Sequence, residues 1–113
     1  MSLDPDDHTL APGSVIREYV AQEVVGHTGR GSIYRAVHSV IGKPAWIKIL
    51  SLTASSDADA TARFTAEARG GEQILDSHVI DIFAFGQLPD GRKYYVMKPL
   101  EGAPLELFLA RSV

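Results

Sequence analysis

Residues 25–34, with the sequence VGHTGRGSIY, decide the fold because they place a glycine-rich turn between two strand-like segments. Residues 19–25 are rich in valine, and residues 32–38 alternate apolar side chains with small or charged ones. Such segments, bounded by glycine, are typical of two strands joined by a hairpin. Dinucleotide-binding and P-loop turns lead into a helix instead, and the chain contains no Gly-Lys-Ser/Thr sequence. Taken alone, this stretch indicates a hairpin.

The chain on the C-terminal side of this turn supplies three further strands. Residues 45–50 form a short apolar run that is interrupted by Lys48. Residues 79–85 and 93–97 are joined through Pro89-Asp90-Gly91, a sequence that favours a tight turn. Together with the two segments beside the glycine-rich turn, they predict a sheet of five antiparallel strands.

One segment has a helical pattern. We expect a helix over residues 56–74, with Ser55 or Ser56 as its N-cap. Apolar or small side chains recur there at helical spacing, namely Phe64, Ala68, Gly71 and Leu75. A short last helix is expected over residues 105–110, after Pro104. The order β-β-β-α-β-β-α predicts an α+β fold: a five-stranded antiparallel sheet with one packed helix and a short C-terminal helix.

Length, charge and composition limit the class of protein. The 113 residues suffice for one domain, which we place at residues 15–113 after a disordered acidic leader at residues 1–14. The net charge of −3 comes from three aspartates of the leader, so the domain itself is neutral. A neutral body without a basic cluster argues against binding of nucleic acid or of anionic lipid. The absence of cysteine, of a membrane-spanning run and of a basic signal peptide favours a cytoplasmic protein.

The glycine-rich turn is the first of five motifs that occur in a fixed order. The other four are AWIKIL at 45–50, RFTAEA at 63–68, IFAFG at 82–86 and YYVMKPLEG at 94–102. Together they resemble the small N-terminal lobe of a bacterial eukaryotic-like Ser/Thr protein kinase. Residues 86–91, GQLPDG, look especially like such kinases from myxobacteria. The resemblance covers residues 15–113.

The resemblance implies an ATP site. In that family a lysine of the third strand grips the nucleotide phosphates and pairs with a glutamate of the following helix; the matching residues are Lys48 and Glu67. The positions that correspond to the family's ATP site are Gly26, Gly29, Gly31, Ile33, Trp46, Lys48, Glu67, Met97 and Leu100. The alternative is that Lys48 is only a charge at a strand edge and Glu67 a solvated helix residue.

Four departures from the family pattern cluster around this site. Thr28 replaces the middle glycine of the loop, Lys98 replaces the acidic residue after the gatekeeper Met97, and Gly71 replaces a bulky helix residue. Trp46 replaces the small alanine that lies against the adenine ring. An indole buries about 200 Å² and would fill the volume of the base. We therefore expect Trp46 to block the ATP site, with drift at a tolerant core position as the alternative.

The residues that perform phosphoryl transfer are not found in this stretch. The family carries its catalytic aspartate and its magnesium ligands in motifs beyond the hinge. The four histidines, His8, His27, His38 and His78, lack the spacing of a zinc site. We therefore expect no bound cofactor or metal and no catalytic residue, which means that this chain by itself is not an enzyme.

The C-terminal segment is rich in apolar side chains that a small lobe alone would leave uncovered. The candidates for an interaction surface are Leu100, Leu105, Phe108 and Leu109. The resulting hypothesis is a catalytically inactive kinase-like module that binds a partner protein or itself, as a homodimer. Two alternatives stay open: the N-terminal fragment of an ATP-binding Ser/Thr protein kinase, and a domain that senses nucleotide without turning it over.

Overall fold

The computed structural model describes residues 10, 13–28, 30–69, 72–75 and 78–99. Within these ranges the elements are β1 (Val15–Ile16), β2 (Tyr19–Thr28), β3 (Gly31–His38), β4 (Pro44–Leu50), α1 (Leu52–Ser55), α2 (Ala58–Arg69), β5 (Glu72–Leu75), β6 (His78–Gln87) and β7 (Lys93–Met97). The strands form one antiparallel sheet in the order β1-β2-β3-β4-β7-β6-β5. Neither helix in the described ranges has the length and apolarity needed to cross a bilayer.

The predicted α+β fold with an antiparallel sheet is confirmed. The five predicted strands correspond to β2, β3, β4, β6 and β7, and the last of them has the predicted bounds. Two short strands, β1 and β5, were not predicted and add one strand at each edge of the sheet. The turn between β6 and β7 forms where it was expected, with Gly91 at φ 101°. A glycine is favoured there because only glycine adopts such a φ without strain.

The sheet curls until its first strands reach β6. Two register shifts in β2, between Ala21 and Glu23 and between Val24 and Gly26, bend this strand strongly. The Arg17 guanidinium, in the turn between β1 and β2, donates a hydrogen bond of 2.8 Å to the carbonyl oxygen of Phe85 on β6. Because β2 and β6 are separated by three strands in the sheet order, this contact requires a curled sheet.

Both faces of the sheet are covered, as β4 demonstrates. Its side chains are buried from Ala45 to Leu50 without interruption. The buried cluster on one face includes residues of the helices and the strand residues Ile33, Trp46, Leu50, Tyr95 and Met97. The cluster on the opposite face contains Ile16, Tyr34, Ala36, Ala45, Ile47, Ile49, Tyr94 and Val96. The helices α1 and α2 cover the first face through Ala54, Ala60 and Phe64. The site described below lies on this first face.

The predicted bounds of the helix are wrong. Helix α2 begins at Ala58, where the carboxylate of Asp57 accepts a hydrogen bond from the backbone N–H of Asp59 at 3.2 Å. The serines assigned as caps belong instead to the separate short helix α1, which Ser51 caps. After Arg69 the chain becomes strand β5 rather than continuing the helix to residue 74. Two consecutive glycines at 70–71 explain the early end, since each costs about 1 kcal/mol in a helix relative to alanine.

Three described residues of the predicted leader, Leu10, Gly13 and Ser14, form hydrogen bonds with the sheet. The backbone N–H of Gly13 donates to the carbonyl of Ala21, and the N–H of Ala21 donates to the carbonyl of Ser14, both at 2.8 Å. The N–H of Leu10 donates to the hydroxyl of Tyr34 at 2.9 Å. Residues 1–9 and 11–12, and the predicted C-terminal helix at 105–110, lie outside the described residues.

Candidate functional site at the β4 lysine

Lys48 and Glu67, which the resemblance pairs, are in contact. Lys48 lies on β4 opposite Ile33 of β3 and Tyr95 of β7, and its side chain is only 3% exposed. Its Nζ atom is 3.4 Å from Oε1 of Glu67, near the C-terminal end of α2. A buried ammonium group requires such a partner, because an isolated charge in the interior is strongly unfavourable.

Two aromatic rings lie close to the same ammonium group. The Nζ atom of Lys48 lies 5.7 Å from the ring centroid of Phe64 and 5.6 Å from that of Tyr95. The two rings stack on each other with centroids 4.8 Å apart and an interplanar angle of 24°. Their faces attract the cation, typically by about 0.5–2 kcal/mol. The hydroxyl of Tyr95 donates a hydrogen bond to Glu67 Oε1, the oxygen atom that Lys48 also contacts.

Burial changes the protonation of this group. Desolvation lowers the pKa of Lys48, and the nearby charge of Glu67 opposes that shift without cancelling it. Desolvation, reinforced by the charge of Glu67, raises the pKa of Tyr95. The phenol therefore remains a hydrogen-bond donor over the range in which Lys48 loses its proton.

The lowered pKa of Lys48 predicts how stability depends on pH. Between this pKa and 10.5, the ordinary value, the unfolded chain binds more protons than the folded one, so the free energy of unfolding rises with pH. The stability gained because folded Lys48 loses its proton more easily is complete above pH 10.5, and it is lost as the pH falls through the lowered pKa. Lys48→Met should abolish this slope, which is at most about 1.4 kcal/mol per pH unit, in urea unfolding measured at a series of pH values below 10.5.

Lys43→Met is the matched control for this pH profile, since Lys43 is exposed in the turn before β4. It should leave the slope as in the wild type. Equal slopes in the wild type and in Lys48→Met would contradict the assignment of the slope to Lys48.

The glycine-rich turn is a tight hairpin above this site. Thr28 at the end of β2 pairs with Gly31 at the start of β3, and Gly26 pairs with Ile33. A Cβ atom on Gly31 would lie 2.0 Å from the carbonyl oxygen of Ile49. Glycine at position 31 therefore allows β3 to approach β4 closely, a requirement that is independent of any ligand.

Arg30 connects the tip of this hairpin to the helices. Its carbonyl accepts a hydrogen bond of 2.7 Å from the N–H of Ser51, the N-cap of α1. Its guanidinium lies 3.8 Å from the carboxylate of Asp57, just before α2. Because both side chains are substantially exposed, this ion pair contributes less than about 1 kcal/mol. The backbone bond is the firmer connection.

Trp46 lies on the same face of β4 as Lys48, two residues away. It pairs with Met97 across β4 and β7, and it belongs to the buried cluster that contains Ile33 and Met97. The indole is 9% exposed and is therefore packed in the core. Beyond Met97, the N–H of Lys98 donates to the carbonyl of Asp81 at 2.9 Å, which ties the residue after β7 to β6.

The described residues include seven of the nine predicted site positions. Gly29 and Leu100 lie outside them, as do Leu105, Phe108 and Leu109 of the expected interaction surface. Tyr95 belongs to this site but is not among the predicted positions. The sequence could have indicated Tyr95, because it is two residues before Met97 on one strand and therefore lies on the same face of the sheet. Nowhere in the described ranges do three His, Cys, Asp or Glu side chains group in a way that could hold a metal ion.

Comparison with known proteins finds bacterial protein kinases. The chain is 33% identical over 100 residues to the serine/threonine-protein kinase PknE of Mycobacterium bovis, and 28% identical over 108 residues to the serine/threonine-protein kinase pkn3 of Myxococcus xanthus. These alignments cover 88% and 96% of the chain but only 18% and 20% of the two kinases. The chain thus spans about a fifth of the length of these relatives. No family model matches it.

The fold also resembles that of a solved protein. The structure matches a crystal structure of the Mycobacterium tuberculosis PknI kinase domain with a TM-score of 0.68 at 20% sequence identity. The match covers 92% of this chain and 42% of that kinase domain. At this identity the match establishes the fold, which is that of the smaller part of a kinase domain.

Proposed function

Because the chain is homologous to the N-terminal lobe of bacterial Ser/Thr protein kinases, we propose that it holds the phosphates of ATP within a kinase domain. In this proposal Lys48 is the phosphate-binding cation and Glu67 is the residue that fixes its position. The observation that carries the proposal is the contact between Lys48 Nζ and Glu67 Oε1 at 3.4 Å.

The surroundings of Lys48 suit this role. A buried cation attracts a phosphate more strongly than one in water, because fewer solvent dipoles screen it. Lys48 pairs with Ile33, two residues from Gly31, so the glycine-rich hairpin begins about 7 Å along the strand. Phosphates that contact Lys48 would therefore lie below the backbone of this hairpin.

Transfer of the phosphoryl group from ATP needs further residues. In the family, the aspartate that orients the acceptor hydroxyl and the residues that bind magnesium follow the hinge. The role proposed for residues 10–99 is thus limited to holding and orienting the nucleotide. Transfer of phosphate to serine or threonine is the activity proposed for the whole kinase domain.

The packing of Trp46 favours a second candidate function. Its indole is in the buried cluster with Ile33 and Met97, and the family resemblance implies that position 46 lies against the adenine ring. A lobe with that volume filled would exclude the base and would act by binding a protein partner or a second copy of itself. Sedimentation velocity over a range of concentrations tests self-association directly.

A titration with magnesium and ATP distinguishes the two candidates. We expect a saturable change in Trp46 fluorescence and a rise in melting temperature for the wild type. Lys48→Met should weaken the apparent affinity by at least about tenfold, since a hydrogen bond to a charged group contributes about 1.5–3 kcal/mol. Lys43→Met should bind like the wild type, because Lys43 is exposed in the turn before β4. A wild type that responds no more than Lys48→Met would favour the second candidate, in which the lobe acts by binding a protein.

A further inference from the structure

One oxygen atom of Glu67 accepts hydrogen bonds from two neighbouring strands. Lys48 Nζ, from β4, contacts Oε1 at 3.4 Å, near the long limit for a hydrogen bond. The hydroxyl of Tyr95, from β7, donates to the same oxygen. Lys48 and Tyr95 stand directly opposite each other in the pairing of the two strands. The glutamate thus has a neutral partner in addition to the lysine.

Tyr95 is fully buried and contacts two residues of α2. Its side chain is 0% exposed, and its ring stacks on Phe64, which precedes Glu67 by three residues on α2. Residues three apart share one face of a helix. The ring and the hydroxyl of one tyrosine therefore contact adjacent positions on the face of α2 that meets the sheet.

Other contacts also hold α2, since Ala68 packs against the same core and the Thr61 hydroxyl donates to the carbonyls of Ala54 and Ser55 in α1. Of its 12 residues only Ala60 and Phe64 are buried. Ala60 offers a single methyl group, and the helix ends at Arg69 before a pair of glycines. Phe64 is therefore the one large buried side chain of α2, and Tyr95 contacts both Phe64 and Glu67.

We propose that Tyr95 is a positioning residue whose hydroxyl holds Glu67, and with it α2, against the sheet independently of Lys48. Lys48 can then turn from Glu67 toward a phosphate without releasing the helix. The second statement deepens the proposed function and rests on it, whereas the first concerns the protein without nucleotide.

Amide hydrogen exchange of residues 58–69 without nucleotide tests the first statement. Tyr95→Phe removes the hydroxyl and keeps the ring, and it should accelerate exchange in α2 by about tenfold or more, as expected for a lost hydrogen bond to a carboxylate. Lys48→Met should accelerate it by less than Tyr95→Phe. Glu67→Gln removes the charged acceptor and should act in the same direction as Tyr95→Phe. Tyr94→Phe is the matched control, because Tyr94 belongs to the cluster on the opposite face, and it should have no effect on α2.

The pH profile of Lys48 gives a second readout of the release of α2, because burial lowers the pKa of Lys48. The rate at which an amine-selective reagent modifies Lys48, followed by mass spectrometry, should show a midpoint below 10.5 in the wild type. In Tyr95→Phe the release of α2 exposes Lys48, so the rate should rise several-fold and the midpoint should move toward 10.5. Tyr94→Phe should retain the wild-type midpoint.

The outcomes separate this proposal from the proposed function. Unchanged exchange of α2 in Tyr95→Phe, or equal acceleration in Lys48→Met, would overturn the role of Tyr95 whether or not ATP binds. A wild type that does not respond to ATP would overturn the proposed function and would leave the exchange results valid. If both hold, Tyr95→Phe should also weaken ATP binding, and added ATP should restore part of the protection of α2.

Discussion

Gly31→Ala is expected to destabilise the protein by about 3 kcal/mol, at the upper end of what overpacking costs. The added methyl carbon would lie 2.0 Å from the carbonyl oxygen of Ile49, well inside van der Waals contact. The obstacle is the backbone of a neighbouring strand, which cannot rotate away as a side chain could. Strands β3 and β4 would have to separate where Gly31 pairs with Leu50, close to Lys48.

Gly42→Ala is the control that separates this collision from a general cost of replacing glycine. Gly42 has φ +69° and no heavy atom within 4 Å of the position of an added Cβ. Its replacement should cost only about 1–2 kcal/mol, which is the penalty of a left-handed backbone. Urea unfolding of the two variants measures the difference, and equal losses would show that β3 and β4 can adjust.

Trp46→Ala is expected to lower the free energy of unfolding by about 3–5 kcal/mol, the range for truncating a buried large aromatic residue. The indole is 9% exposed and belongs to the cluster that joins β3, β4, β7 and the helices. Val40→Ala, at a hairpin tip where Val40 is 82% exposed, should change stability by less than about 0.5 kcal/mol. Chemical unfolding followed by circular dichroism is suitable, since the variant lacks the tryptophan.

Trp46→Ala also tests whether the indole excludes the base of ATP from the site. Calorimetric titration with ATP and with inorganic tripolyphosphate separates the contribution of the base from that of the phosphates. We expect the wild type to bind both alike and Trp46→Ala to prefer ATP by about tenfold, the gain from burying part of an aromatic ring. Trp46→Leu, which leaves a smaller cavity, serves if the alanine variant does not fold. Preference for ATP in the wild type would contradict the view that Trp46 fills the volume of the base.

The strands could be predicted because their signals are local. β-branched and aromatic residues between glycine or proline boundaries identify β2, β3, β4, β6 and β7, and the order of the five motifs relates them to a kinase lobe. The extent of α2 could not be predicted in this way. Residues 72–75 continue a helical pattern, yet they pair with β6, because strand pairing satisfies their backbone groups after two glycines have ended the helix.

The sequence by itself therefore determined the class of fold, the strand order of the hairpins and the likeness of Lys48 and Glu67 to a kinase pair. The tertiary structure decided that Tyr95 shares an oxygen of Glu67 with Lys48, and that Gly31 faces a backbone carbonyl rather than a ligand. The physical reason is the distance along the sequence over which each signal acts. Propensity and spacing act between residues near in sequence, whereas these two contacts join residues 28 and 18 positions apart, which only the curled sheet and the docked helix bring together.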